Sequence, residues 1–261
     1  MVKALVFWSH LLKMSLKASI SQKGVFLTEC FLIIANNLLF FSLWGIFFQR
    51  FQDIGNWTFQ DMTALIAVGS GAFGLAQISF GGIKKISYLI LTGELDSFII
   101  QPQNILLHVA GSKSFAKGWG HLMTGILLTL FGGFATPLTM PLAFFCMLLA
   151  SCIFASVGVI AYSLPFWFGS IESVSKKYYE SLLLFSMYPT NIYSGILKTI
   201  MFTLIPAGLI GSIPVELLRH FSIFNLLLLI GSSVSFIALA FFIFNAGLKR
   251  YESGNQFGLR S

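Results

Sequence analysis

Apolar runs long enough to cross a hydrocarbon layer follow one another along this chain, separated by short polar breaks. A helix rises 1.5 Å per residue, so about 20 apolar residues cover roughly 30 Å of hydrocarbon. Six stretches meet that requirement, at about 25–48, 61–80, 115–135, 142–166, 192–213 and 221–247. The pattern predicts an all-α, polytopic membrane fold: one transmembrane domain over residues 1–261 with six transmembrane helices. Pro137 and Pro141 mark a tight connection that makes the third and fourth runs a helical hairpin. The fifth run is the least regular, because Pro189, Pro206 and Pro214 break the stretch from Tyr179 to Leu218. Residues 181–190 read as its cytoplasmic lead-in.

Residues 1–22 follow a different pattern. At 100° per residue, Lys3, His10, Lys13 and Lys17 fall on one side of a helix, and Leu5, Trp8, Leu12 and Leu16 largely on the other. The charges interrupt the apolar run too early for a secretory signal, and no small-residue cleavage site follows. The expectation is an amphipathic helix lying in the cytoplasmic interface, in contact with membrane lipid.

Composition agrees with a lipid solvent. Hydrophobic residues make up 56% and charged residues 10% of the 261 positions, where a soluble domain carries about 25% charged. Mean hydropathy is +0.85. The net charge of +7 comes from basic residues scattered in ones and twos, a distribution that excludes a nucleic-acid patch and reads as topology. With the N-terminus inside, fourteen basic residues fall on inner segments: Lys3, Lys13, Lys17, Lys23, Lys84, Lys85, Lys113, Lys117, Lys176, Lys177, Lys198, Lys249, Arg250 and Arg260. Arg50 and Arg219 make two outside. This asymmetry predicts six spans with both termini cytoplasmic, in the inner membrane of a bacterium. Cys30, Cys146 and Cys152 lie in apolar runs without metal-ligand spacing and read as packing residues.

The chemistry for work is sparse. Ion-coupled transporters keep ionisable residues near the bilayer midplane, yet Glu29, Lys117 and His121 sit near inner ends of runs, and Asp53, Asp61 and Glu216 near outer ones. There is no metal-binding His-Glu pair, nucleophile elbow or buried aspartate pair. Gly81 and Gly82 before Lys84 and Lys85 lack the spacing and the hydroxyl of a phosphate-binding loop. Energy must therefore come from another chain, or the protein is a passive carrier, a channel or a scaffold. Small residues recur at Ala67, Ser70, Gly71 and Gly74, and again at Ser151, Ala155 and Gly158, as close helix packing requires. Asn36 and Asn37, the most polar pair inside a run, suit either interhelical hydrogen bonds or a substrate path. The 29 phenylalanines offer an apolar, polarizable lining for a hydrophobic or amphipathic solute.

The polar loop after the second run carries the most structure. Ile86, Leu89 and Ile90 have helical spacing, Gly93 suits a left-handed helix stop, and Pro102 ends the next turn. Between those stops lies Glu94-Leu95-Asp96-Ser97-Phe98, an acidic and apolar knob. The segment from Leu91 to Pro102 resembles the Gly-Glu-Leu-Asp…Pro signature of permease subunits in type-2 ABC transporters, in their six-helix branch. Gly55-Asn56-Trp57, Tyr188-Pro189…Ile205-Pro206-Ala207…Ile213-Pro214 and Gly247–Gly254 match the same family in order and spacing, over roughly residues 25–255. The family commonly has Arg or Lys where this chain has Gln101.

The resemblance implies a non-catalytic permease, an exporter paired with a second copy or a sister permease and resting on two ATP-binding subunits. ATP and magnesium would belong to those subunits, and no cofactor to this chain. Residues 83–102 would form the coupling region, with Gly93, Glu94, Leu95, Asp96, Phe98 and Pro102 contacting the ATPase: Leu95 and Phe98 in its groove, Glu94 and Asp96 at the rim, and the N-terminal helix alongside.

Overall fold

In hydrocarbon each backbone N–H and C=O must find its partner within the segment, which favours helices. Across residues 2–51 and 55–252, with side chains from Val6 onward, helix is the only regular structure in the computed structural model. Asp53, Ser253, Gly254 and Arg260, and the side chains of Lys3 and Leu5, fall outside those described residues. The chain is an all-α polytopic membrane protein.

The elements run α1 (Val2–Ser21), α2 (Lys23–Arg50), α3 (Phe59–Ser79), a 3-10 turn at Gly81–Lys85, α4 (Ile86–Thr92), α5 (Asp96–Ile99) and α6 (Ile105–Gly111). There follow α7 (Ala116–Phe131), α8 (Thr139–Ser163), α9 (Pro165–Phe168) and α10 (Glu172–Ser186). The last are α11 (Gly195–Ile200), α12 (Ala207–Ile210), α13 (Ser212–Arg219) and α14 (Ile223–Leu248). By length and hydropathy α2, α3, α8 continued through α9, and α14 suffice to cross a membrane. At 16 and 15 residues, α7 and α10 are shorter.

A helix apolar on every side belongs in the middle of a bundle, and α3 is buried without a break from Met62 to Gly74. It packs against α7 on one side and α8 on another, while α2 covers α7 and α14 covers α8. Small residues set the α3–α7 distance. A Cβ on Gly74 would stand 2.4 Å from the Leu122 nitrogen and 2.6 Å from the Gly118 carbonyl oxygen, so only glycine admits this approach. The second small-residue set does related work on α8, where Gly158 lies against Ile83 of the 3-10 turn and Tyr179 of α10.

Contacts between elements define two ends. At one, α3 begins with a capping box, Asp61 Oδ2 accepting the Thr58 N–H at 2.8 Å. Arg219 pairs with the same carboxylate, Nε to Oδ1 at 3.0 Å, and Asn191 Nδ2 donates to the Gly55 carbonyl at 2.8 Å. At the other end Phe115 N–H bonds the Gln77 carbonyl, Ser87 Oγ the Tyr162 carbonyl and Ser175 Oγ the Ala161 carbonyl. This second end carries Lys84, Lys85, Lys113, Lys117, Lys176, Lys177, Lys249 and Arg250.

The expected continuous span over 192–213 is corrected. Before it, α10 starts at Glu172 beside the basic end, and its outgoing chain reaches Asn191 beside Gly55. The predicted lead-in, 181–190, is thus mostly the far half of that helix. Beyond it the chain turns back: Thr190–Ile192 forms a 3-10 turn, and α11 and the turn after it descend to Leu204, whose carbonyl accepts the Tyr178 hydroxyl. From Pro206, α12 and α13 climb again until Ser212 accepts the Thr190 hydroxyl at 2.8 Å and Arg219 meets Asp61. Proline explains the division. Pro189 and Pro206 lack the N–H a continuing helix needs, and Pro214 is tolerated because it lies in the first turn of α13. The returning arm is buried from Ala207 to Val215, which satisfies the rule that interrupted backbone must be shielded by protein. Lys198 lies on the descending arm, in α11.

Candidate functional site

Two groupings at the basic end bring together the residues with chemistry. The first is the loop from Gly81 to Gly111. Gly93 ends α4 at φ +77°, and the Leu95 N–H bonds back to the Leu89 carbonyl at 3.1 Å, folding the knob onto α4. That fold decides which side chains face out. Leu95 has no exposed surface and belongs to the chain's own core with Ile86, Leu89 and Ile90. The expectation that Leu95 enters a partner's groove is therefore corrected: it anchors the loop inward. Phe98 is half-buried, its ring edge-on to His108 at 4.8 Å, and Phe7 of α1 meets the other side of His108 at 5.1 Å. Burial lowers the His108 pKa.

Asp96 faces the chain's C-terminal segment. The Tyr251 phenol has its pKa pushed up to about 12 by burial and by the Asp96 carboxylate. What the loop shows outward is Glu94, whose Oε1 accepts the Tyr88 hydroxyl at 2.8 Å, together with Ser97, Gln101 and Pro102. Beside them stand two isoleucines, Ile99 and Ile100, the latter 83% exposed. α1 braces the loop from behind, Trp8 stacking on Phe80 at 5.4 Å, while His10, Lys13 and Lys17 stay exposed.

The second grouping is a chamber of about 490 Å³ between α2, α3, α7, α8 and α10. Its charged lining is Lys84, Lys117 and Lys176 with Glu29, Glu172 and Glu180. Lys84 is part-buried. Its Nζ donates to Gln77 Oε1 at 3.1 Å and lies over the rings of Phe115, Phe73 and Tyr179 at 4.9, 5.7 and 5.7 Å. Burial lowers its pKa to about 8; Glu180 opposes the shift, and Lys117, Lys176 and Lys113 add to it.

A side cleft of about 320 Å³ shares His121, Glu180 and Leu183 with the chamber and opens between α2 and α10, past Leu39, Phe40, Leu43 and Met187. Asn36 and Asn37 both line it. Asn37 Nδ2 lies 3.1 Å from Ser70 Oγ, 3.2 Å from Thr124 Oγ1 and 3.2 Å from His121 Nδ1. Ser70 and Thr124 give their own protons to the His121 and Gly120 carbonyls, so their oxygens are free to accept. Asn37 thereby ties α2 to α3 and α7, whereas Asn36 is exposed at the cleft.

Sequence reasoning missed the chamber. Glu29, Lys117 and His121 were legible as charges near inner ends, but only the fold brings them opposite α10. Lys84 was legible only as an inner charge, a failed phosphate loop and part of the 83–102 segment. Its signal was a lysine following Gly-Gly-Ile, too short a pattern to read without the surrounding helices.

A family model described as "ABC-2 family transporter protein" matches residues 31–255. No curated protein matches the chain. The match covers most of the chain, which therefore belongs to the ABC-2 transporter family.

Proposed function

We propose that this member of the ABC-2 transporter family is the membrane-spanning permease of an exporter, driven by separate ATP-binding subunits docked at its basic end. The family supplies the coarse role: a membrane subunit of an ABC transporter that is not itself the ATPase. In the proposed arrangement α2, α3, α7, α8, α10 and α14 cross the inner membrane of a bacterium, and α11–α13 form a re-entrant hairpin from the outer side. Both termini are cytoplasmic, in keeping with the basic residues gathered at one end.

The observation that carries the docking assignment is the exposed step Ile99–Ile100 beside Glu94, on a loop locked from behind by Leu95 and Phe98. An apolar step with an acidic neighbour, held rigid, suits a groove with a basic rim. Gly93, Glu94 and Pro102 keep the roles the resemblance implies, Leu95, Phe98 and Asp96 hold the loop, and the isoleucines make the contact. Hydrolysis in the partners would bias two arrangements of a permease pair, inward-open and outward-open. The solute is hydrophobic or amphipathic. Mild-detergent purification from native membranes with mass spectrometry tests the reading: a stoichiometric nucleotide-binding partner is expected, and its reproducible absence overturns it.

A further inference from the structure

A part-buried ammonium with no carboxylate in contact asks for a reason, because burying a charge is costly unless it is paired. Lys84 has three donors, and among the described residues Gln77 is its one oxygen acceptor, with no carboxylate within 4.0 Å. Three aromatic rings shield the amine from the side. The amine nonetheless lines the chamber, whose other charges are mostly at exposed positions: Lys117, Glu172, Lys176 and Glu180. Apart from Lys84 the charged lining is three acids, Glu29, Glu172 and Glu180, and two bases, Lys117 and Lys176, and none of the acids contacts the Lys84 amine.

The chamber is also not closed. His121, Glu180 and Leu183 line both the chamber and the adjoining side cleft, whose other lining includes Leu39, Phe40, Leu43, Leu184 and Met187. Leu39, Leu43 and Leu184 are exposed on the faces of α2 and α10. A ligand filling both spaces has a compact polar head and an apolar body leaving sideways. At about 490 Å³ the chamber is in the range of small-molecule sites.

We propose that this chamber binds the anionic head, a carboxylate or phosphate, of an amphipathic solute, with the Lys84 ammonium as its anchor and the apolar body lying in the cleft between α2 and α10. The assignment rests on the permease reading and names its substrate class. The aromatic walls have a second role, since they restrict water around the ion pair and so strengthen it.

The test uses the full chain purified without partners, in phosphatidylcholine nanodiscs. The probe is a dodecyl phosphate with a terminal diazirine, and the control is a dodecyl trimethylammonium bearing the same group. After irradiation, peptides carrying Leu39–Leu43 and Leu183–Met187 should be labelled by the phosphate probe about 10-fold more than by the ammonium probe. Lys84→Gln should lower that labelling about 10-fold, and Lys84→Arg should retain most of it. Equal labelling by both head groups in the wild-type chain overturns the proposal, and this arm holds even if Lys84→Gln fails to fold. Labelling of monodisperse Lys84→Gln at the wild-type level overturns it as well. Inorganic phosphate should protect weakly; full protection at the probe's own concentration would overturn the amphiphilic assignment in favour of a free anion. Because no ATPase is present, failure here leaves the partner-docking result standing, and failure of docking leaves this binding result standing.

Discussion

Truncating two neighbouring aliphatic side chains of the loop, Leu95→Ala and Ile100→Ala, should produce opposite phenotypes. Leu95 is wholly buried among Ile86, Leu89 and Ile90. Its truncation removes three carbons at about 0.8 kcal/mol each and leaves a cavity, for a total of about 2–5 kcal/mol. Ile100 is 83% exposed, so the same kind of truncation costs the free permease less than about 0.5 kcal/mol. If Ile100 is an anchor in the partner's groove, however, its loss weakens docking by about 2 kcal/mol or more, roughly 30-fold in Kd. Thermal melting by fluorescence-detected size exclusion measures the first quantity, and titration of the purified ATPase against immobilised permease measures the second. Leu95→Ala should melt lower yet, below its transition, bind the ATPase nearly as wild type does. Ile100→Ala should melt normally and bind poorly, and adding Ile99→Ala should deepen that loss. A Leu95→Ala chain with normal melting and abolished docking would refute the inward orientation of Leu95, and normal docking by the double isoleucine variant would remove the step from the coupling surface.

Gly74→Ala should lower stability by about 1–3 kcal/mol, read as reduced melting temperature, because the added methyl meets backbone atoms of Leu122 and Gly118 rather than a flexible side chain. Asp61→Asn should cost about 1–3 kcal/mol in the same assay, since it weakens both the α3 cap and the pair with Arg219; Arg219→Gln should cost less, leaving the cap intact. Binding of the alkyl phosphate probe should weaken as pH rises through about 8, because Lys84 is charged below that value and neutral above it. At pH 9 the apparent affinity should be about 10-fold lower than at pH 7, with Glu180 facing the amine and Lys113, Lys117 and Lys176 near it the other groups that set the exact midpoint. A flat profile from pH 7 to 9.5 would detach the binding from Lys84.

What the sequence reveals here depends on what apolar periodicity measures. It reports removal from water, and in a membrane fold both lipid and protein interior count as removal. That is why the all-α polytopic class was plain from the runs themselves, and why the small residues of α3 could be assigned to close packing before any contact was seen. The same measure misassigned the region after Lys177. Residues 192–213 are apolar because Ala207–Val215 is packed inside the protein and α11 lies exposed at its edge, not because one helix runs through them. Conversely α10 carries Lys176, Tyr179 and Glu180 along the chamber, so its hydropathy falls although its two ends reach the two ends of the bundle. The prolines announced interruptions without telling which arm runs the full length.

The loop teaches a related point about side-chain direction. Glu94, Leu95, Asp96 and Phe98 could be recognised as one unit between Gly93 and Pro102, but their facing depends on the single left-handed residue at Gly93 and the Leu95–Leu89 bond it permits. Rotating the chain there by one residue would exchange Leu95 for Asp96 on the buried side, where a carboxylate would need a partner. Burial of a leucine and exposure of Ile100 are then two results of one turn: the apolar residue nearest the glycine is claimed by the chain's own core, and the first one beyond α5 is left for whatever docks. A loop built this way is rigid because its supporting side chains are interior, and rigidity is what a docking loop needs if a partner's movement is to shift helices rather than merely bend the loop.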